Sequence, residues 1–366
     1  GIEVFSASSW DSAHAGFTAL DDKLSTGLDL LADVVRRPRL DPGEFDRLKA
    51  ERLNEIMQSR ADPGHLADER FISEVYADGV PYGRMSAGSP ESVEGLAIDD
   101  VRSFHADRYA PDVSHVIVAG PVEPAAVLTA VRERFGDWAG NGRGHRKVEA
   151  ASRGGRRIVV VDRPGSVQSE LRVGHAGIAR SHPDYFAAML TAAVLGGVFG
   201  SRLNLRLREE LGYTYGARCS FDPRRSAGPF SATAAVETDV TVDAIRELLI
   251  QLERIGSDPP GEQELREVRD FLIGVFPLRF ETTGGLAAAL EPLAVYGLPD
   301  DYWQTYRAKL ESVTTAHVAH VARTLIRPDE ALILLTGDAS RIREELDGAG
   351  LGPVEVVAAP QGPGHS

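Results

Sequence analysis

Cysteine is nearly missing from this chain: Cys219 is the single one among 366 residues, which excludes an internal disulfide framework and any multi-cysteine metal site. That usage fits a reducing compartment, and a cytoplasmic location is the default expectation. Long apolar runs are absent as well. The best candidate, Ala187 to Val198, is shorter than the roughly 18 residues a membrane span needs and is broken by Gly196 and Gly197, so no membrane partner is expected. Basic charge is in deficit, with 40 Lys and Arg against 54 Asp and Glu and a net charge of −14, which disfavours nucleic acid and anionic lipid surfaces. No phosphate-cradling glycine loop, Gly-x-Ser-x-Gly elbow or paired Cys and His is found, which argues against nucleotide, serine-hydrolase and thiol chemistry. Residues Gly1 to Ala7 have neither the basic flank nor the apolar core of a signal peptide.

What the chain does have is an internal repeat. Its length suits two domains. An amphipathic stretch, Gly27 to Val35, leads through a proline-containing turn into the helical segment PGEFDRLKAERLNEI, which starts at Pro42; Asp243 to Leu252 leads likewise into PGEQELREVRDFLIGVF, which starts at Pro260, 218 residues later. A second anchor agrees. Glu91-Ser92-Val93 opens a helix and precedes the β-type run His115 to Ala119; Glu311-Ser312-Val313 does the same before Ala331 to Thr336, at an offset of 220 residues. Two independent anchors with nearly equal offsets identify two copies of one unit. The repeat predicts that the counterpart of the second copy's opening, strand and long helix included, falls about 60 residues before Gly1, so the first copy lacks its N-terminal part.

The expected organisation is therefore an incomplete N-terminal domain over 1–139, an exposed Gly- and Arg-rich linker over 140–157, a complete C-terminal domain over 158–350 and a flexible tail over 351–366. In the complete copy, Ile158 to Val161 is a buried-strand run and Gln168 to Gly174 alternates as a second strand. A strongly apolar helix then starts near Pro183 and stops at Gly196-Gly197, followed by SRLNLRLREELG, with Leu203, Leu207 and Leu211 on one helical face. A hairpin, TYGARCSFD and PFSATAAVET, closes the segment. Strands, helices and a returning strand in each copy predict an α+β fold, helices packed on a mainly antiparallel sheet.

The segment LGGVFGSRLNLRLREELGYTYG, Leu195 to Gly216, resembles the second-domain signature of the insulinase, pitrilysin and mitochondrial-processing-peptidase family, in which a glycine pair, Ser-Arg-Leu and Arg-Glu-x-x-Gly-Tyr occur in this order. Similar segments flank it, including DRPGSVQSELRVGHAGIARSHPDYF, AGPFSATAAVETDVT and the FETT at Phe280 to Thr283. By this resemblance Arg206 and Tyr213 are the catalytic pair that faces a zinc site across an enclosed chamber; Tyr215, two residues after Tyr213, is expected on the same sheet face and, with Gly196 and Gly197, to contact substrate. The residue types suit these roles, since a guanidinium fork holds backbone carbonyls and a phenol donates to a carbonyl becoming an oxyanion. Read by themselves, Arg206 is one charge on an amphipathic helix and Tyr213 an ordinary strand residue; Arg202 and Arg208 read as structural or surface residues.

The family's active members carry His-x-x-Glu-His on the first long helix of the first copy, and no such pentapeptide occurs here. Glu55 matches a third zinc ligand by position, yet the companion Glu expected seven residues earlier is Leu48. His317 and His320 lack a neighbouring carboxylate in sequence and read as helix-surface residues. The resemblance thus implies an Arg/Tyr subunit whose zinc comes from a homologous partner chain or homodimer and which acts on small or unfolded peptides. Two alternatives stand beside it: a zinc pentapeptide on the same polypeptide before Gly1, or a non-catalytic peptide-binding or scaffold member.

Overall fold

The computed structural model describes residues 1–144 and 148–360. In chain order the elements are strands β1 (Ile2–Ser8) and β2 (Ala13–Ala19), then helices α1 (Leu24–Arg36), α2 (Pro42–Ser59), α3 (Pro63–Val75), α4 (Pro90–Glu94), α5 (Ile98–Arg108) and α6 (Pro124–Phe135). Strands β3 (Arg157–Asp162) and β4 (Gln168–Ala176), helix α7 (Tyr185–Ala192) and the hairpin β5 (Thr214–Phe221) and β6 (Pro229–Glu237) follow. The rest comprises α8 (Thr241–Ser257), α9 (Glu262–Val275), α10 (Thr283–Tyr296), α11 (Tyr302–Glu311), α12 (Thr315–Leu325), β7 (Leu332–Gly337), α13 (Ala339–Gly348) and β8 (Val354–Ala358).

The larger of two compact units holds residues 55–87, 148–274 and 303–366. Its sheet runs β5-β6-β4-β7-β3-β8. The pairs β5/β6, β6/β4 and β4/β7 are antiparallel, and β7/β3 and β3/β8 are parallel, so the sheet is mainly antiparallel as expected. Ile158, Val159 and Val160 on β3 and Ile333, Leu334 and Leu335 on β7 are wholly buried, which explains why both read as unbroken apolar runs. Helix α8 buries Ile245, Leu248, Leu252 and Ile255 at helical spacing. On α3, the apolar face of Leu66, Phe71, Ile72 and Val75 packs on β4 and β7. Arg172 of β4 reaches back to α3, donating to Asp68 at 2.6 Å and to the Gly64 carbonyl at 3.1 Å.

The smaller unit holds 1–54, 88–147 and 275–302. Its antiparallel β1–β2 hairpin packs against α1, and Gly27 is required there because a Cβ would enter the Phe17 ring. Arg134 of α6 ties α1 by donating to Asp29 at 2.7 Å and to the Ser25 hydroxyl at 2.7 Å. Helix α10 joins the hairpin through Glu291, which accepts from the Ser12 hydroxyl at 3.1 Å.

Unit membership cuts across the boundaries read from the repeat. Helices α3 and α10 begin 220 residues apart, and each sorts with the unit formed mainly by the other copy. The reason is where their contacts lie: α3 buries its face on the sheet of the complete copy, and α10 bonds the first copy's hairpin. Three further expectations are corrected. His115 to Ala119 forms no strand. Its counterpart β7 is held between β3 and β4, whereas among the described residues no strand pairs with this run, and Val116 stays 48% exposed. The expected linker is not free along its length: Ala77 N–H donates to the Ala151 carbonyl at 2.8 Å and Arg153 donates to Glu74, while residues 145–147 lie outside the described residues. The expected tail supplies β8, whose valines extend the sheet beside β3; residues 361–366 also lie outside the described residues.

Candidate functional site

Helix α7 does not simply stop at its glycines. It continues as a π-helical turn, Ala193–Gly197, and after a short loop a second π-helical segment, Asn204–Glu210, takes the place of the amphipathic α-helix predicted there. Such wide turns are uncommon and concentrate at functional sites. The apolar stripe still anchors the segment, with Leu203 and Leu207 wholly buried and Leu211 half-buried. Gly196 has a packing reason for its identity, since a Cβ there would stand 2.7 Å from Cys219 Cβ and 2.8 Å from the Arg218 carbonyl carbon. Gly197 is exposed.

Arg206 projects from the second π segment and is held by carboxylates. Its Nε and Nη2 donate to the two oxygens of Glu247 at 2.9 and 3.0 Å, a bidentate fork, and Nη1 donates to Glu210 at 2.8 Å. Glu247 sits on α8, so the pair joins two elements. The hydrogen bonds from Glu247, then those from Glu210, raise the guanidinium pKa further, and Arg206 lowers that of Glu247. The guanidinium therefore stays charged and oriented, with N–H groups to spare.

Tyr213 follows directly. Its N–H donates to the Leu207 carbonyl at 2.8 Å, tying it to the segment that carries Arg206, and its side chain is half-buried. Tyr213 precedes β5, so the strand alternation expected to align it with Tyr215 does not apply. A bulge between Thr214 and Ala217 intervenes, and Tyr215 is 92% exposed.

Asn204 organises this corner and was not singled out from sequence. Its side-chain oxygen accepts the Ala217 N–H at 2.8 Å, and its amide donates to Val198 O at 3.2 Å and to Ser201 Oγ at 3.1 Å. It pins the bulge to the loop. Glu247 was likewise missed: an acidic residue on an amphipathic helix carries no sequence signal of its partner. Arg202 is structural, forking onto Glu264 at 2.7 and 2.8 Å, and Arg208 lies 4.4 Å above the Phe199 ring. His317 Nδ1 accepts the Thr314 N–H at the start of α12.

Zinc does not fit the residues present. Among the described residues no group of three or more His, Cys, Asp or Glu is placed to hold a metal ion, and Glu55 is exposed on α2. Nor, among the described residues, is any helix long and apolar enough to cross a membrane.

Residues 95–272, which include both π-helical segments and the Arg206–Tyr213 corner, match the family description "Peptidase M16 inactive domain". Over that stretch the chain is similar to M16 peptidases. An uncharacterised zinc protease of Mycobacterium tuberculosis is 29% identical over 311 residues, covering 84% of this chain and 70% of that protein. A Helicobacter pylori relative named a non-peptidase homolog is 21% identical over 294 residues, covering 79% of this chain and 66% of its own. In fold, the crystal structure of a peptidase M16 inactive domain from Pseudomonas fluorescens superposes with a TM-score of 0.84 at 23% identity, over 92% of this chain and 80% of that one. The structural likeness covers the α+β architecture, and the matched stretch includes the motifs from Leu195 to Gly216.

Proposed function

We propose that this chain is a member of the M16 peptidase family that supplies the Arg/Tyr half of a peptidase site, the zinc ion being held on a separate homologous chain, and that the assembled enzyme hydrolyses small or unfolded peptides in an enclosed chamber. One observation carries this reading: Arg206 and Tyr213 are joined through a single π-helical segment, with the guanidinium pre-oriented by Glu247. N–H groups of Arg206 beyond those bound by Glu247 and Glu210 are the donors for substrate backbone carbonyls. The Tyr213 hydroxyl donates to the scissile carbonyl oxygen as charge develops there. The division into copies at 1–139 and 158–350 belongs to the same reading, with the exchanged helices a feature of packing.

The test is reconstitution with the homologous chain that bears His-x-x-Glu-His, using a fluorogenic unstructured peptide. This chain alone is expected to be inactive and the pair active, and Tyr213→Phe is expected to lower kcat by about 100- to 1000-fold. Chelator-sensitive cleavage by the purified chain alone refutes the proposal. A pentapeptide encoded before Gly1 is the other form of the same reading, separated by the upstream gene sequence. The name of the Helicobacter pylori relative favours a second reading, peptide binding without turnover. Its signature is binding by the reconstituted pair with no cleavage and no response to Arg206→Ala.

A further inference from the structure

Two carboxylates hold Arg206, and they hold it unequally. Glu247 grips the guanidinium with both oxygens, at 2.9 and 3.0 Å, and only 19% of its side chain is exposed. It stands on α8, a helix fixed by the burial of Ile245, Leu248 and Leu249. Glu210 contributes a single bond, Nη1 to Oε2 at 2.8 Å, and its side chain is 60% exposed. It is the last residue of the π-helical segment that carries Arg206 itself. Glu209, beside it in sequence, faces Arg208 at 3.5 Å and belongs to a different pair.

The two grips differ in how easily they let go. A bidentate, charge-assisted fork from a mostly covered carboxylate is fixed in geometry, and breaking it leaves a sheltered charge without its partner. An exposed, single-bonded ion pair is worth little, because water solvates both charges and holding a long side chain in one place costs entropy. Glu210 therefore returns to solvent at small cost and Glu247 does not. The donors divide in the same way. Glu247 takes Nε and Nη2, so Nη1 is the one guanidinium nitrogen it leaves alone, and that nitrogen is where Glu210 sits.

Resting on the Arg/Tyr reading above, we propose that Glu210 is an exchangeable cap on Nη1 of Arg206, displaced by a backbone carbonyl of the bound peptide while Glu247 keeps the guanidinium in place. The exchange is one of hydrogen bonds alone: a carbonyl oxygen replaces a carboxylate oxygen on the N–H, and the carboxylate rehydrates. Peptide then binds as though only the uncapped fraction of the chain were competent, so Glu210 raises KM, whereas Glu247 serves orientation.

The experiment measures KM and kcat of the reconstituted pair on an unstructured fluorogenic peptide without charged side chains, from about 0.05 to 0.5 M salt. Where the pair binds without cleaving, Kd by fluorescence anisotropy takes the place of KM. Glu210→Ala is expected to lower KM about 2- to 5-fold, the range that an exposed ion pair supports, with a smaller change in kcat. Salt screens the carboxylate more than it screens a neutral carbonyl, so the wild-type KM is expected to fall toward that of the variant as salt rises. A KM that is unchanged or higher in Glu210→Ala, while Arg206→Ala still impairs the pair, overturns the cap and leaves the Arg/Tyr reading standing. A wild-type KM that stays flat or rises with salt does the same without relying on any variant at Glu210. Indifference of the pair to Arg206→Ala, or absence of both cleavage and binding, overturns the reading and the cap together.

Discussion

Lowering the pH below neutrality should destabilise the larger unit through His175. This residue lies on β4, 2% exposed, stacked on Phe230 at a centroid distance of 5.1 Å. Its Nε2 accepts the Arg327 N–H at 2.9 Å and its Nδ1 faces the Ala176 carbonyl at 2.9 Å, so the ring is satisfied as the neutral Nδ1–H tautomer. Protonating Nε2 would set two N–H groups against each other. Burial is the main cause, with the nearby Arg327 charge adding to it, of a pKa lowered from 6.5 to about 4 despite the opposing Ala176 bond and Glu330. The unfolded chain therefore binds more protons than the folded one between these values, so stability is fully present above pH 6.5 and is lost as pH falls toward 4. At about 1.4 kcal/mol per pH unit, the loss is about 3 kcal/mol over the window and about 2 kcal/mol by pH 5. Urea unfolding of the wild type and of His175→Gln across pH 4 to 7.5 isolates this contribution, because the variant cannot titrate there. A difference between the two that does not change with pH, or an NMR titration of His175 near its ordinary value, refutes the reasoning.

Gly196→Ala should cost about 1 to 3 kcal/mol or more, because the Cβ meets the β5 backbone and not a movable side chain; chemical denaturation measures it, and a neutral effect would point to slack in the helix–strand contact. Asn204→Ala leaves the buried Ala217 N–H without its acceptor, for about 1 to 3 kcal/mol, and hydrogen exchange at Ala217 should quicken selectively. Glu247→Gln replaces the charged fork on Arg206 and is expected to lower kcat/KM of the reconstituted enzyme in the same direction as Arg206→Ala, but by less; a gain in activity would mean that Glu247 competes with substrate instead of orienting the guanidinium.

Much of this protein was legible in one dimension. Apolar runs at Ile158 to Val161 and Ala331 to Thr336, the period of α8 and the hairpin turn after Asp222 are local patterns, and each marks its element because burial on two faces, burial on one stripe and chain reversal leave different residue spacings. The repeat and the signature from Leu195 to Gly216 located Arg206 and Tyr213, since motif order survives in sequence even when geometry does not. Spacing alone could not report that Asn204 to Glu210 winds as a π-helix, because the same leucines fit a wide or a regular turn, and only packing of Leu203 and Leu207 together with the Asn204 bonds selects one. Nor could it show Glu247 closing on Arg206 from 41 residues away, or a bulge turning Tyr215 outward. The sequence determined which residues are available for chemistry and in what order. Tertiary structure decided which of them are held and by which carboxylate, because those choices depend on contacts between residues far apart in the chain.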